Sequence, residues 1–269
     1  MRVHFCGVRG STPASGVEFV RYGGHTSCLA LALDADRAPT LLLDAGTGIR
    51  QVTKLLDGGP FVGTILLTHL HWDHYQGLPF FGGGDRDDSR VTLLLPDQED
   101  GSKAEEVLAR GMSPPQFPIR PNQLRGGWAF DTLRPGNLDL TPPDGPGFSV
   151  EIREVPHKAG MTFGYRVTDG KSTVAYIPDH CPTVLGPGPD GWGEYHPAAL
   201  ELADGVDVLV HDAHLFPEEL SAEAAFGHSA VDYAVELGSK EWSSSITDRN
   251  GPTTPSMVWL CASRMRPFV

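Results

Sequence analysis

The chain has 269 residues, of which 40% are hydrophobic and 20% charged, an ordinary globular composition that fits one large domain or two small ones. Its 21 basic against 34 acidic residues leave a formal charge of −13, which disfavours long nucleic acid as a partner, because affinity for polyphosphate depends on cationic neutralisation. Four scattered cysteines (Cys6, Cys28, Cys181 and Cys261) form no CxxC pair, which speaks against a disulfide framework or a cysteine zinc knuckle and for buried thiols in a reducing compartment. No apolar run approaches the ~18 residues of a membrane span. Met1 to Gly7 contain no apolar h-region, so a cytoplasmic location is expected.

In chain order, apolar and β-branched runs predict strands at Val3–Cys6, Ser27–Leu33, Thr40–Leu43 and Thr64–Thr68. Turns carrying Gly23-Gly24, Asp44-Ala45-Gly46 and Gly58-Gly59-Pro60 separate them. A helix is expected over residues 50–57, a strand at Val91–Leu95 and a short helix at Lys103–Arg110. Gly111 to Gly147 is rich in proline and glycine, yet Phe117, Ile119, Leu124, Trp128 and Phe130 are interleaved. That mixture predicts an ordered excursion, an insertion able to serve as a lid, and not a free tether. Strands resume at Ser149–Val155, Thr162–Val167, Ser172–Tyr176 and Val206–His211, and a helix is expected over Ser229–Leu237. Two blocks of strands, each closed by helices, imply sheet packed on sheet with helices outside. The expected division is one domain over 1–238 and an atypical tail over 239–269.

The sharpest feature is Thr68-His69-Leu70-His71-Trp72-Asp73-His74, directly after a predicted strand. Alternate residues of an extended chain face the same way, so His69 and His71 reach one point. Asp73 and His74 follow where the chain must turn and can face a second point. Imidazole and carboxylate are ligands that suit zinc. One loop cannot complete two metal spheres, so further ligands are sought beyond other strand ends. His157, Asp179, His211 and Asp212 stand there, where α/β sheets bind ligands, and His228 stands at a helix start.

The segment Thr68–His74 carries the HxHxDH signature and resembles the metallo-β-lactamase superfamily. That resemblance implies an αββα sandwich, an α/β fold of two mixed sheets flanked by helices. Gly7-Val8-Arg9-Gly10-Ser11, Tyr22 to Ser27, Leu43 to Gly48 and Gly227-His228-Ser229 look like its phosphodiesterase-type branch, which includes the ribonuclease Z proteins and PhnP-like cyclic phosphodiesterases. By position, the resemblance implies that His69, His71 and His157 hold one zinc, that Asp73 and His74 hold a second, and that Asp179 bridges both. Manganese or iron(II) fits the same donors. Asp179 stands where true β-lactamases carry cysteine, which argues against that activity. His228 resembles the general-acid histidine of the phosphodiesterase branch, and Asp212 the carboxylate that orients it. Asp44 is expected to fix a ligand histidine through its second ring nitrogen.

The implied reaction is hydrolysis of a small or cyclic phosphodiester by a hydroxide bridging two zinc ions, with Asp73, Asp212 and His228 as the catalytic side chains. Two Zn²⁺ against Asp73, Asp179 and a hydroxide leave about one positive charge, which welcomes an anionic phosphate. Exposed acidic groups farther than about 8 Å are screened. Glyoxalase II-type thioesterases share the ligand set and form the alternative.

One departure stands out. Relatives end on a strand followed by a metal-binding histidine, whereas no histidine follows His228 here. Permissible codons for Glu241 to Asp248, read in another frame, can spell Val-Val-Leu-Phe-His-His-Gly, so the chain beyond about residue 240 reads as a frameshift product. The expected consequences are a second metal site lacking its last imidazole, a final strand and helix that are degraded or improvised from Ser256–Cys261, and impaired activity. In the extreme the chain becomes a metal-binding protein without turnover. An exposed sheet edge would also invite a homodimer.

Overall fold

Period-two apolar runs cut by glycine turns give two six-stranded sheets, one in each of two units, Met1–Arg134 and Pro135–Val269. The structure is a computed structural model and describes residues 1–34, 38–245 and 257–261.

In the first unit the chain runs through β1 (Arg2–Gly7), β2 (Cys28–Ala32), β3 (Leu41–Leu43), α1 (Ile49–Leu55), β4 (Val62–Leu66), α2 (Trp72–Tyr75), β5 (Arg90–Pro96), α3 (Ala104–Ala109) and β6 (Gly127–Leu133). The sheet order follows the sequence from β1 to β6. The β1–β2 and β2–β3 pairs are antiparallel, and every pair from β3 to β6 is parallel. Central strands such as Cys28–Ala32 and Leu41–Leu43 are buried at every position, which is why they read as continuous apolar runs. One face of this sheet carries Cys28, Ala30, Leu42, Ile65, Leu67, Val91, Leu93 and Leu95. Ile49 and Val52 of α1 and Val107 and Leu108 of α3 pack onto it. Each large side chain so buried contributes roughly 1.5–3 kcal/mol.

The second unit runs through β7 (Gly136–Asp139), β8 (Ser149–Glu154), β9 (Phe163–Thr168), β10 (Thr173–Ile177), α4 (Pro197–Ala203), β11 (Val208–Asp212), α5 (Leu220–Glu223), α6 (Val231–Ser245) and β12 (Met257–Cys261). Its sheet order is β12-β11-β10-β9-β8-β7. The β7–β8, β8–β9 and β9–β10 pairs are antiparallel, and β10–β11 and β11–β12 are parallel. Strands β8, β10 and β11 therefore point the same way, and their C-terminal ends share one edge of the sheet. Val155, Ala175, Ile177 and Leu209 pack with Ala199, Leu202 and Ala203 of α4 and with Tyr233 and Leu237 of α6.

Several elements differ from the sequence expectation. The proline-rich excursion of 111–147 contains β6 and β7, the strands at one end of each sheet order. Strand β6 exposes every second residue and β7 is only four residues long, so neither shows the apolar run of a central strand. Helix α4 starts on Pro197 at its first position, a start signal that its short apolar pattern leaves faint. Helix α6 continues to Ser245, past Leu237. At the tail, where a missing or improvised last strand was expected, Met257–Cys261 form β12 and pair with β11 in the register His211 to Leu260. The remainder of the frameshift reading falls on 246–256 and 262–269, outside the described residues. No helix among the described residues is long and apolar enough to cross a membrane.

Candidate metal centre

In the first unit the site begins at the C-terminal ends of two adjacent parallel strands. Asp44 follows β3 directly, and Thr68 stands two residues beyond β4. Asp44 is fully buried with φ +61°, a left-handed conformation that costs a non-glycine residue free energy and persists where its surroundings impose it. Its carboxylate accepts from the Thr68 backbone N–H at 2.8 Å and from the Thr68 hydroxyl at 3.0 Å, and lies 2.7 Å from His74 Nδ1. A carboxylate only accepts, so the proton of His74 sits on Nδ1 and the Nε2 lone pair is left for a cation.

The same logic fixes His69. Thr68 gives its single hydroxyl proton to Asp44, so at 3.0 Å from His69 Nδ1 its oxygen accepts, and the lone pair of His69 falls on Nε2. That Nε2 stands 3.0 Å from Nδ1 of His71. His69 and His74 rings lie 4.1 Å apart between centroids. Asp73 Oδ2 accepts the Ser11 N–H at 2.7 Å and lies 3.4 Å from His74 Nε2. Ser11 also has φ +61°. Thus His69, His71, Asp73 and His74 stand together, and two strained backbone positions touch the group. A close approach underlies it: a Cβ on Gly46 would meet the Asp73 carbonyl oxygen at 2.1 Å.

In the second unit the donors come from separate strand ends. His157 follows β8, Asp179 follows β10, Asp212 closes β11, and His228 precedes α6. His157 Nδ1 donates to the Gly227 carbonyl at 2.7 Å, which leaves Nε2 facing Asp179 Oδ2 at 3.4 Å. Two acceptors facing each other at that distance suit a cation. Gly227 has φ +93°, and a Cβ there would stand 3.1 Å from His157 Nδ1, so the turn that supplies the carbonyl calls for glycine.

Asp212 is saturated with donors. Oδ2 accepts from the backbone N–H of His180 at 3.1 Å and of Ser229 at 3.1 Å, and from His228 Nδ1 at 3.0 Å. Oδ1 accepts the His214 N–H at 3.0 Å. Ligand atoms of Asp179, Asp212 and His228 lie within 4.8 Å of one another. With four N–H groups already on its carboxylate, Asp212 is better suited to orient His228 than to hold a metal. His228 carries its proton on Nδ1 toward Asp212, which leaves the lone pair on Nε2. His214 stacks on its ring at 4.2 Å.

Behind Asp212 lies a buried pair that sequence reasoning did not assemble. His211 Nδ1 donates to the Asp212 carbonyl at 2.7 Å, so its Nε2 accepts from His180 Nδ1 at 3.1 Å. Burial pushes both imidazoles below their ordinary value, His180 farther, with the neighbouring His211 adding to the effect. The pair is neutral and holds the backbone that presents Asp212. His211 was visible as a strand-end histidine. His180 and His214 gave no signal, because they act through backbone groups or ring stacking, and Ser229 was visible only as part of the Gly227-His228-Ser229 motif.

The donors fit a divalent metal: three of the histidines have one ring nitrogen fixed by a protein acceptor and the other set beside a second donor atom. Comparison with known proteins points the same way. The family described as "Beta-lactamase superfamily domain" matches residues 40–240. A ribonuclease Z of Haloferax volcanii is 26% identical, covering 88% of this chain and 80% of its own length. The short form of human tRNase Z has the same fold with a TM-score of 0.59 at 18% identity, covering 88% of this chain and 87% of that one. A diphosphatase from the PhnP family gives 0.56 at 18% identity over 96% and 93%.

Proposed function

Because the chain belongs to the metallo-β-lactamase superfamily, we propose that it is a metal-dependent phosphodiester hydrolase acting on a small or cyclic substrate. The roles we assign are His69, His71 and His157 for one zinc, Asp73 and His74 for a second, and Asp179 for both. A bound pair of such cations supplies an acidified water and neutralises phosphoryl charge. With no histidine after His228, the second cation has fewer imidazoles and is the weaker bound.

The observation that carries the reading is the His228–Asp212 pair, 3.0 Å apart, with Asp212 held by three backbone N–H groups. An ester oxygen leaving phosphorus needs a proton, and histidine titrates in the useful range. Asp212 fixes the Nδ1 tautomer and supports the imidazolium, so Nε2 is the atom that hands over the proton. Asp44 and the Gly227 carbonyl hold the protons of His74 and His157 on Nδ1, which leaves Nε2 of each ring unprotonated. The formal charge of −13 favours a small substrate over the long nucleic acid that the relatives' name implies for them.

Zinc-loaded protein should hydrolyse bis-p-nitrophenyl phosphate and leave an acyl-thioester untouched. Thioester turnover without phosphodiester turnover would replace this reading with the thioesterase one.

A further inference from the structure

We infer that the recess against α2 is a subsite for a flat aromatic group carried on the phosphate ester, an inference that rests on the hydrolase reading. The recess, of about 540 Å³, lies within the size range of small-molecule sites. Its floor includes the buried Leu78, Leu108 and Met112, and its walls Trp72, Phe80 and Phe117. Trp72 is 72% exposed and Phe80 59%. A single exposed aromatic is ordinary. Here two frame one recess, and Phe117 stands edge-on to Phe80 at 5.8 Å and 90°.

Trp72 stands between His71 and Asp73 in the chain and opens α2, the short helix that also carries Asp73 and His74, so the recess and two of the proposed ligands share one element. Aromatic faces discriminate by ring stacking and edge contacts, and a planar base stacks on such a face whatever its identity. An alkyl chain would be served as well by leucine or isoleucine walls and gains nothing from three rings. Both a nucleobase and a simple aryl ester share the required chemistry.

The test is calorimetric binding of methyl phosphate, phenyl phosphate and thymidine 5′-monophosphate to the zinc-loaded protein, beside Trp72→Ala and Phe80→Ala. Both aromatic esters, or the nucleotide alone, should bind at least tenfold more tightly than methyl phosphate, and either substitution should remove that advantage. The nucleotide alone identifies a base as the occupant, whereas both together show that any aryl group suffices. Equal affinity for all three ligands, or no binding, overturns the subsite. A change in sedimentation of Phe80→Ala without ligand discrimination also overturns it, by assigning the patch to a second copy of the chain. Aromatic preference without phosphodiester turnover would leave the subsite standing and remove the hydrolase reading instead.

Discussion

The two donor groups are built by opposite means. In the first unit a single stretch, Thr68 to His74, supplies every donor, and one buried carboxylate, Asp44, sets the tautomer and the loop's entry. In the second unit four donors arrive from three strand ends and a helix start, and they are fixed by backbone groups: the Gly227 carbonyl on His157 and three N–H groups on Asp212. A local motif concentrates its dependence on one supporting side chain. A dispersed one spreads it over turns that any residue with the right backbone could form, except where φ is positive.

The largest effect should come from the donors themselves. His69→Ala in one group and Asp179→Ala in the other should both reduce turnover to background and lower zinc per chain by mass spectrometry. Full zinc in either variant would remove that residue from the ligand set. Next, His228→Ala should lower kcat by roughly 10²–10⁴ while zinc per chain stays at the wild-type value. Metal loss in that variant would turn His228 from a proton donor into a ligand.

The supporting shell separates the two designs. Asp44→Asn places an amide opposite His74 Nδ1, which favours the tautomer with its proton on Nε2, and should weaken zinc affinity about 10–100-fold in a chelator competition. Gly227→Ala puts a side chain at φ +93° and should cost about 1–3 kcal/mol, read as a melting temperature lower by roughly 2–4 °C per kcal/mol. If Gly227→Ala cost metal affinity as heavily as Asp44→Asn, the contrast between concentrated and distributed support would fail.

The smallest effect is on pH. Burial depresses His211 below 6.5 in the folded chain, so at pH values between the two the unfolded state binds more protons. That stability is fully present above about pH 6.5 and falls away as pH drops toward the folded value. The melting temperature should decline over that interval, and His211→Asn should flatten the decline.

How legible each group was follows from the same contrast. The spacing of His69, His71, Asp73 and His74 is a local pattern, and strand alternation alone puts two of them on one side. Asp44, His157, Asp179 and His228 could be named from the family resemblance and from their places after apolar runs. The four-donor saturation of Asp212 was hidden, since three of its donors are main-chain N–H groups whose side chains are irrelevant to the bond. The central strands were readable from continuous burial, as in Leu41–Leu43. The end strands were not: Gly136–Asp139 has no buried residue to announce it, and its polar composition is what a strand with one bare side tolerates.

Asp44 carries one more consequence. At φ +61° the backbone would be most comfortable with glycine, so Asp44→Gly relaxes the turn while discarding the group that Thr68 and His74 lean on. The relief of about 1–3 kcal/mol is met by a comparable cost for each buried donor left without its acceptor. A library sorted for thermal robustness should therefore keep the aspartate there, just as one sorted for turnover does. Durability and chemistry are tied to the same carboxylate at that position.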